Sequence, residues 1–287
     1  MMRPERYSIK SGTVALIRIR PISSIRNLLY MRSEEYNMRV FSISSQKGGT
    51  AKTTTTAALA TGATHRGLRT LCIDLDPQGS LTTILRGRPE EGNSYRLLKG
   101  QRVKPQTETG VDTYIIPAAL ELAGLDAELA NTPGRDNRLR NALEAYKEEF
   151  DLVFIDTAPT LGTLLINALT ASTDVIIPVQ ADMFASQSLY QLKGTIDQVR
   201  QFCNPELRVA GVLFTRYSAR TTLARSMWEK TYNMAEEKLG YHCFRHPIRE
   251  GVAAKEAQTL RVPLIRYSPK SNPCQDYEKA LDEIIGG

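Results

Sequence analysis

Cysteine is scarce and unpatterned in this chain of 287 residues. Its four thiols, Cys72, Cys203, Cys243 and Cys274, form no C-x-x-C pair and no other ligand spacing. That excludes a disulfide framework and a zinc or iron–sulfur site, and points to a reducing compartment. His65, His242 and His246 are equally without ligand spacing. No apolar run approaches the roughly 20 residues that a membrane-spanning helix needs. The stretch Thr13–Ile17 is too short for a signal-peptide core, and no small-residue cleavage site follows it. A cytoplasmic protein is the expectation.

A single basic face is also missing from the net charge of +6. Residues 1–37 hold seven basic side chains (Arg3, Arg6, Lys10, Arg18, Arg20, Arg26, Arg32) against Glu5, Glu34 and Glu35, which accounts for +4. Any argument for nucleic acid must therefore rest on local clustering. Residues 1–37 also fit none of the pattern that follows. They read as a basic extension without a fold of its own, ahead of one domain over 38–287.

What is present from Arg39 onward is alternation of β-rich apolar runs with helical ones. Strands are expected at Arg39–Ser44, Arg69–Asp74, Asp112–Pro117, Leu152–Asp156, Asp174–Val179 and Arg208–Thr215. Their near-continuous Val/Ile/Leu content suits strands covered on both faces. Helices are expected at Lys52–Arg66, Arg138–Glu148, Ser186–Gln201 and Thr221–Leu239, with Arg86–Gly110 an irregular excursion. The fold class is α/β: a single-domain, mostly parallel sheet with helices on both faces.

The most informative stretch is Lys47-Gly-Gly-Thr-Ala-Lys52-Thr53-Thr54, between the first apolar run and the first helical one. Strand, glycine turn and helix start are the context of a phosphate-binding loop, where unpaired N–H groups and the helix dipole favour an anion. Gly48 and Gly49 admit phosphates close to the backbone. Thr50, Ala51 and Thr54 complete the loop. Lys52 would reach the β/γ-phosphates of ATP and Thr53 would sit on Mg²⁺. The common pattern G-x-x-x-x-G-K-[ST] fails at both glycines, where Gln46 and Ala51 stand.

Two carboxylate motifs follow. Asp74-Leu-Asp76-Pro-Gln-Gly ends the second strand, where ligands bind in open α/β sheets. Leu152-Val-Phe-Ile-Asp156 is an apolar strand ending in a carboxylate, a Walker B pattern in which Asp156 holds Mg²⁺ through water. Asp174–Val179 leads to Asp182, then Phe184, Leu189 and Leu192 at helical spacing, and those three read as core and helix-face residues.

With a second lysine ahead of the glycines, the loop has the deviant Walker A form, and the chain resembles the ParA/MinD class of P-loop ATPases. Asp-x-Asp-Pro-Gln-Gly and Asp156-Thr-Ala-Pro159 resemble that class's later motifs. The resemblance runs from about Arg39 to Ile285 and is strongest to the ParA/Soj partitioning type. It implies that Lys47 reaches across an ATP-dependent homodimer, that Lys52 acts within its own subunit, and that Asp76 polarises the attacking water. Asp74 supports the Mg²⁺ region. It further implies non-specific DNA binding, a ParB-like centromere-binding partner, and a nucleoid-associated location.

From Arg208 to Lys270 there are twelve Lys/Arg against five acidic residues, which suits contact with phosphate backbones. Candidate DNA contacts are Arg216, Arg220, Arg249, Lys255 and Arg266. A MinD-type membrane-positioning ATPase is the runner-up; its class carries a basic amphipathic C-terminal helix, whereas this chain ends in acidic residues that repel anionic lipid. A metal-cluster carrier lacks the paired cysteines it needs. Cargo positioning on the nucleoid would use the same switch.

Overall fold

The strands form on short, largely apolar runs, and the sheet they build sets the position of the strand-end motifs above. A computed structural model describes residues 38–108, 112–218 and 222–286. The extension expected over 1–37 lies outside the described residues, as does Arg220.

Six strands, β1 (Arg39–Ile43), β2 (Thr70–Leu75), β3 (Tyr114–Ile116), β4 (Leu152–Thr157), β5 (Asp174–Val179) and β6 (Arg208–Phe214), make one sheet in the order β3-β2-β4-β1-β5-β6. All five pairings are parallel. Parallel neighbours demand crossovers. These contain α1 (Lys52–His65), α2 (Ser80–Ile84), α3 (Ser94–Leu98), α4 (Leu125–Leu129), α5 (Arg138–Leu143), α6 (Thr163–Ala171) and α7 (Ala185–Phe202). After β6 come α8 (Thr222–Asn233), α9 (Val252–Thr259), α10 (Leu264–Tyr267) and α11 (Asn272–Gly286).

Side chains of β1, β2 and β4 alternate between two cores. Phe41, Cys72 and Phe154 face Leu59 of α1 and Leu281 of α11. Leu71, Ile73, Val153 and Ile155 face Leu139 and Leu143 of α5. On β5, Val175 and Ile177 pack with Leu189 and Ile196 of α7. Phe41 and Phe154, paired in register, stack with ring centroids 5.4 Å apart.

The helix α1 is buried along most of its length, so tertiary packing rather than propensity holds it. Its threonines return hydroxyl hydrogen bonds to their own helix, Thr56 to Lys52 O at 3.0 Å and Thr61 to Ala57 O at 2.6 Å. That satisfies hydroxyls that burial would otherwise leave without water.

Three differences from the sequence expectations have physical reasons. The stretch 86–110 is not wholly irregular: Asn93 accepts the Arg96 N–H at 3.0 Å and so caps the short helix α3. The helix expected to Glu148 stops at Leu143 and tightens into a 3₁₀ turn over Glu144–Tyr146. The acidic C-terminal segment is a packed helix, α11, whose Glu278 and Asp282 both pair with Arg66, just past the end of α1, at 2.7 and 2.8 Å.

Register aligns the motif ends. Ile43 pairs with Asp156, and Asp74 pairs with the same Asp156 from the other side. Three chemical motifs distant in sequence therefore emerge side by side at the carboxyl edge of the sheet, where such folds bind ligands.

Candidate active site

The loop after β1 turns on two left-handed residues, Gly49 at φ +78° and Ala51 at φ +63°. Glycine accepts that conformation freely, whereas alanine is strained in it. A Cβ at Gly48 or Gly49 would meet no protein atom within 4 Å, so the space beside both is open to a ligand. The helix α1 then starts at Lys52 with no side-chain cap on its first N–H groups. This is an anion site by construction.

Lys52 is only 8% exposed, and its ammonium donates to Lys47 O at 3.2 Å. Burial lowers its pKa, opposed by the nearby carboxylates of Asp156 and Asp76. Lys47 faces away from this interior. Its ammonium pairs with Asp182, and the Phe184 ring centroid lies 5.9 Å off. The Phe184 N–H holds the other Asp182 oxygen at 3.0 Å. Gln46 anchors the same turn to α7 through Thr195, at 3.0 Å.

The carboxylates are unequal. Asp74 is fully buried and accepts from the Thr82 N–H (2.8 Å), the Thr82 hydroxyl (2.7 Å) and the Asp76 N–H (3.1 Å). Burial pushes its pKa up to about 6 despite those bonds. Asp74 thus ties β2 to α2 and holds the Asp76 turn. Asp156 is equally buried; its Oδ1 accepts from Thr56 at 3.3 Å, while Oδ2 has no hydrogen-bond partner. Burial, then the neighbouring Asp74 carboxylate, hold its pKa well above the ordinary range, against the Thr53 hydroxyl and Lys52.

A buried carboxylate oxygen with nothing to bind, beside a threonine hydroxyl and a second carboxylate, fits a hard divalent cation. Among the described residues no cluster of three or more His, Cys, Asp or Glu forms a metal cage. Mg²⁺ takes one or two protein oxygens and fills the rest with water and phosphate.

Asp76 stands partly exposed at the cleft, its Oδ1 accepting the Gln78 N–H at 2.9 Å. The cleft itself has a volume of about 300 Å³ and runs from Gly48, Gly49, Lys52 and Thr53 past Asp76 to Gly251 and Tyr277. Ala51, Thr54 and Pro159 also line it; Thr50 is buried, with its carbonyl accepting the Thr215 hydroxyl at 3.0 Å.

Three of the candidate DNA contacts lie together at the cleft. Arg216, Arg249 and Lys255 line the nucleotide cleft. Arg249 is committed to Asp276 by two bonds, at 2.8 and 2.7 Å, and Lys255 to Glu250 at 3.0 Å. Such pairs offer little charge to an outside polyanion. Arg266 lies exposed on α10. Phe184 also departs from expectation: at 61% exposed it is a surface ring beside Lys47, whereas Leu189 and Leu192 are core. Sequence reasoning gave no role to Asp182, Thr215, Asp276 or Tyr277, whose hydroxyl lies 3.0 Å from that of Thr55. Nothing local marks them, because Asp182, Thr215 and Tyr277 meet their partners across more than a hundred residues and Asp276 meets Arg249 across 27.

Comparison with known proteins agrees with this geometry. The AAA domain family profile matches residues 38–209. The sporulation initiation inhibitor protein Soj of Bacillus subtilis is 36% identical over 253 residues, covering 86% of this chain and 98% of Soj. The chromosome-partitioning ATPase Soj of Thermus thermophilus is 35% identical over 248 residues, covering 86% and 96%. Among solved structures, cobyrinic acid a,c-diamide synthase of Mycobacterium smegmatis, with a bound ATP analogue and magnesium, is 34% identical with a TM-score of 0.72, covering 85% of this chain and 93% of that one.

Proposed function

Because the chain belongs to the AAA domain family, alongside the Soj partitioning ATPases, we propose that it is an ATP-driven switch for DNA partitioning. The chain is a magnesium-dependent ATPase, and its residues divide that work. The first N–H groups of α1, with Lys52, hold the β- and γ-phosphates. Thr53, and Asp156 through water, would hold Mg²⁺, which when bound would neutralise charge on the phosphate oxygens. Asp76, at the mouth of the cleft, orients the attacking water. Asp74 keeps the Asp76 turn in place through its hydrogen bonds to Thr82 and to the Asp76 N–H.

In this reading, ATP binding assembles a two-fold sandwich dimer in which Lys47 leaves Asp182 and reaches the partner's phosphates. The dimer coats DNA without sequence preference, a ParB-like centromere-binding protein stimulates hydrolysis, and the protein releases. Its location would be the cytoplasm, on the nucleoid. The observation that supports this most is the division between the two lysines, Lys52 lining its own cleft and Lys47 outside that lining, paired with Asp182. One lysine per loop would suffice for a monomeric ATPase.

A MinD-type membrane role finds no support in α11. Its Glu278 and Asp282 are used on Arg66, its Asp276 on Arg249, and its apolar face is packed on α1. Among the described residues no helix is long and apolar enough to cross a membrane.

The charge for DNA contact is assigned to the basic residues of 208–270, twelve Lys/Arg against five acidic residues. A dimer doubles them on one assembly, so DNA affinity follows ATP. Contact with roughly 6–10 phosphates predicts a fall of about 10³–10⁵ in affinity between 50 and 200 mM salt. Filter binding of two unrelated duplexes, with ATP and with ADP, tests this. Equal, ATP-dependent, salt-steep binding is expected, flattened by Arg220→Gln with Arg266→Gln. Tight binding without nucleotide, or preference for one duplex, would count against the switch.

A further inference from the structure

Four basic residues line the nucleotide cleft: Lys52, Arg216, Arg249 and Lys255. Two of them are neutralised, Arg249 by Asp276 and Lys255 by Glu250. Lys52 has its place on the phosphate loop. Arg216 alone of the four is left with a full charge and no assigned partner in the ATPase mechanism.

Its setting is specific. The Arg216 Nη1 donates to the carbonyl of Gly49, the left-handed glycine of the phosphate loop, at 3.3 Å. No carboxylate pairs with it among the described residues. Its backbone sits at φ +52°, a region that a Cβ disfavours. Neighbours on both sides hold it there. The Thr215 N–H bonds Val179 O at 2.8 Å and the Thr215 hydroxyl bonds Thr50 O at 3.0 Å. On the other side the Tyr217 N–H bonds Ile248 O at 2.9 Å. A strained conformation fixed by its surroundings, delivering an unpaired guanidinium to the loop, is an arrangement characteristic of working sites.

A neutral carbonyl at 3.3 Å is a weak acceptor for a guanidinium. A phosphate oxygen in the adjoining cleft is a far better one, since charge assistance shortens and strengthens the bond and the planar fork matches it. We infer that Arg216 anchors the bound nucleotide by its phosphates, supplying the second uncompensated cation of the cleft beside Lys52. It is a nucleotide-binding residue rather than a DNA contact. This rests on the cleft being the ATP site.

The test is equilibrium binding of Mg–ATP, Mg–ADP and adenosine to the full-length protein, by calorimetry, without DNA. Arg216→Gln is expected to weaken ATP and ADP by about tenfold or more, the low end for a hydrogen bond between charged groups, and to leave adenosine unchanged. Arg216→Lys should recover part of the loss, because an ammonium keeps the charge but not the fork. Arg216→Gly should show the same loss of affinity with a higher melting temperature, since glycine relieves the left-handed strain; that separates ligand binding from folding. Wild-type affinities for ATP and ADP in Arg216→Gln, with DNA binding lowered, would overturn the assignment. So would an equal loss for adenosine. A wild-type protein that binds no ATP would overturn the reading of the cleft itself.

Discussion

At Ala51 the chain holds an L-residue where the loop needs φ +63°. The left-handed conformation costs a non-glycine residue about 1–2 kcal/mol, while glycine costs about 0.4–1 kcal/mol through the freedom it adds to the unfolded chain. Ala51→Gly is therefore expected to raise stability by roughly 0.5–1 kcal/mol and to keep or improve ATP affinity. Urea denaturation decides it, and a less stable Gly variant would mean that the alanine is not strained. The buried carboxylates give a second expectation. Asp74 and Asp156 bind protons more tightly in the native protein than in the unfolded chain, because burial disfavours their charge. Their contribution to nucleotide-free stability is full below the ordinary carboxylate range and is lost as pH rises above it, through about 6 for Asp74. Asp156→Asn removes one such charge while keeping an acceptor for Thr56. It should raise the melting temperature without Mg²⁺ at pH 7.5, change it little at pH 4.5, and abolish hydrolysis. A lower melting temperature at pH 7.5 would show that Asp156 stabilises the empty site.

At the scale of elements, α11 is held by its apolar face rather than by its charges. Leu281 is buried against α1, whereas Arg66 meets Glu278 and the well-exposed Asp282 near the surface. Leu281→Ala should cost about 2–5 kcal/mol, and Arg66→Ala about 1 kcal/mol or less. The reverse order in chemical denaturation would assign the docking of α11 to its ion pairs. This helix also shows what the sequence conceals. β5 was legible to the residue, Asp174–Val179, because a buried parallel strand is a continuous apolar run bounded by polar residues. The loop, Asp76 and Asp156 were legible because each motif sits whole within a few residues at a strand end. In α11 the acidic residues drew attention to charge, while the buried stripe of Tyr277, Ala280, Leu281 and Ile284 carries the packing. Arg249 illustrates the same limit: nothing near it in sequence marks Asp276 as its partner, so its charge read as available.

At the scale of the whole molecule, the account turns on a second copy of the chain. A single subunit brings the glycine loop, Asp76, Asp156 and Arg216 together, and pairs Lys47 with Asp182 beside Phe184. If Lys47 serves the partner's nucleotide, monomer and dimer differ in where one ammonium goes, and ATP binding is separable from dimerisation. Light scattering with saturating Mg–ATP, alongside calorimetric ATP binding, tests this on the wild type, Lys47→Ala and Lys52→Ala. The wild type should dimerise with ATP and not with ADP. Lys52→Ala should lose ATP binding altogether, and Lys47→Ala should bind ATP nearly as the wild type does yet remain monomeric and fail to hydrolyse it. A Lys47→Ala protein that dimerises and hydrolyses ATP like the wild type would contradict the account.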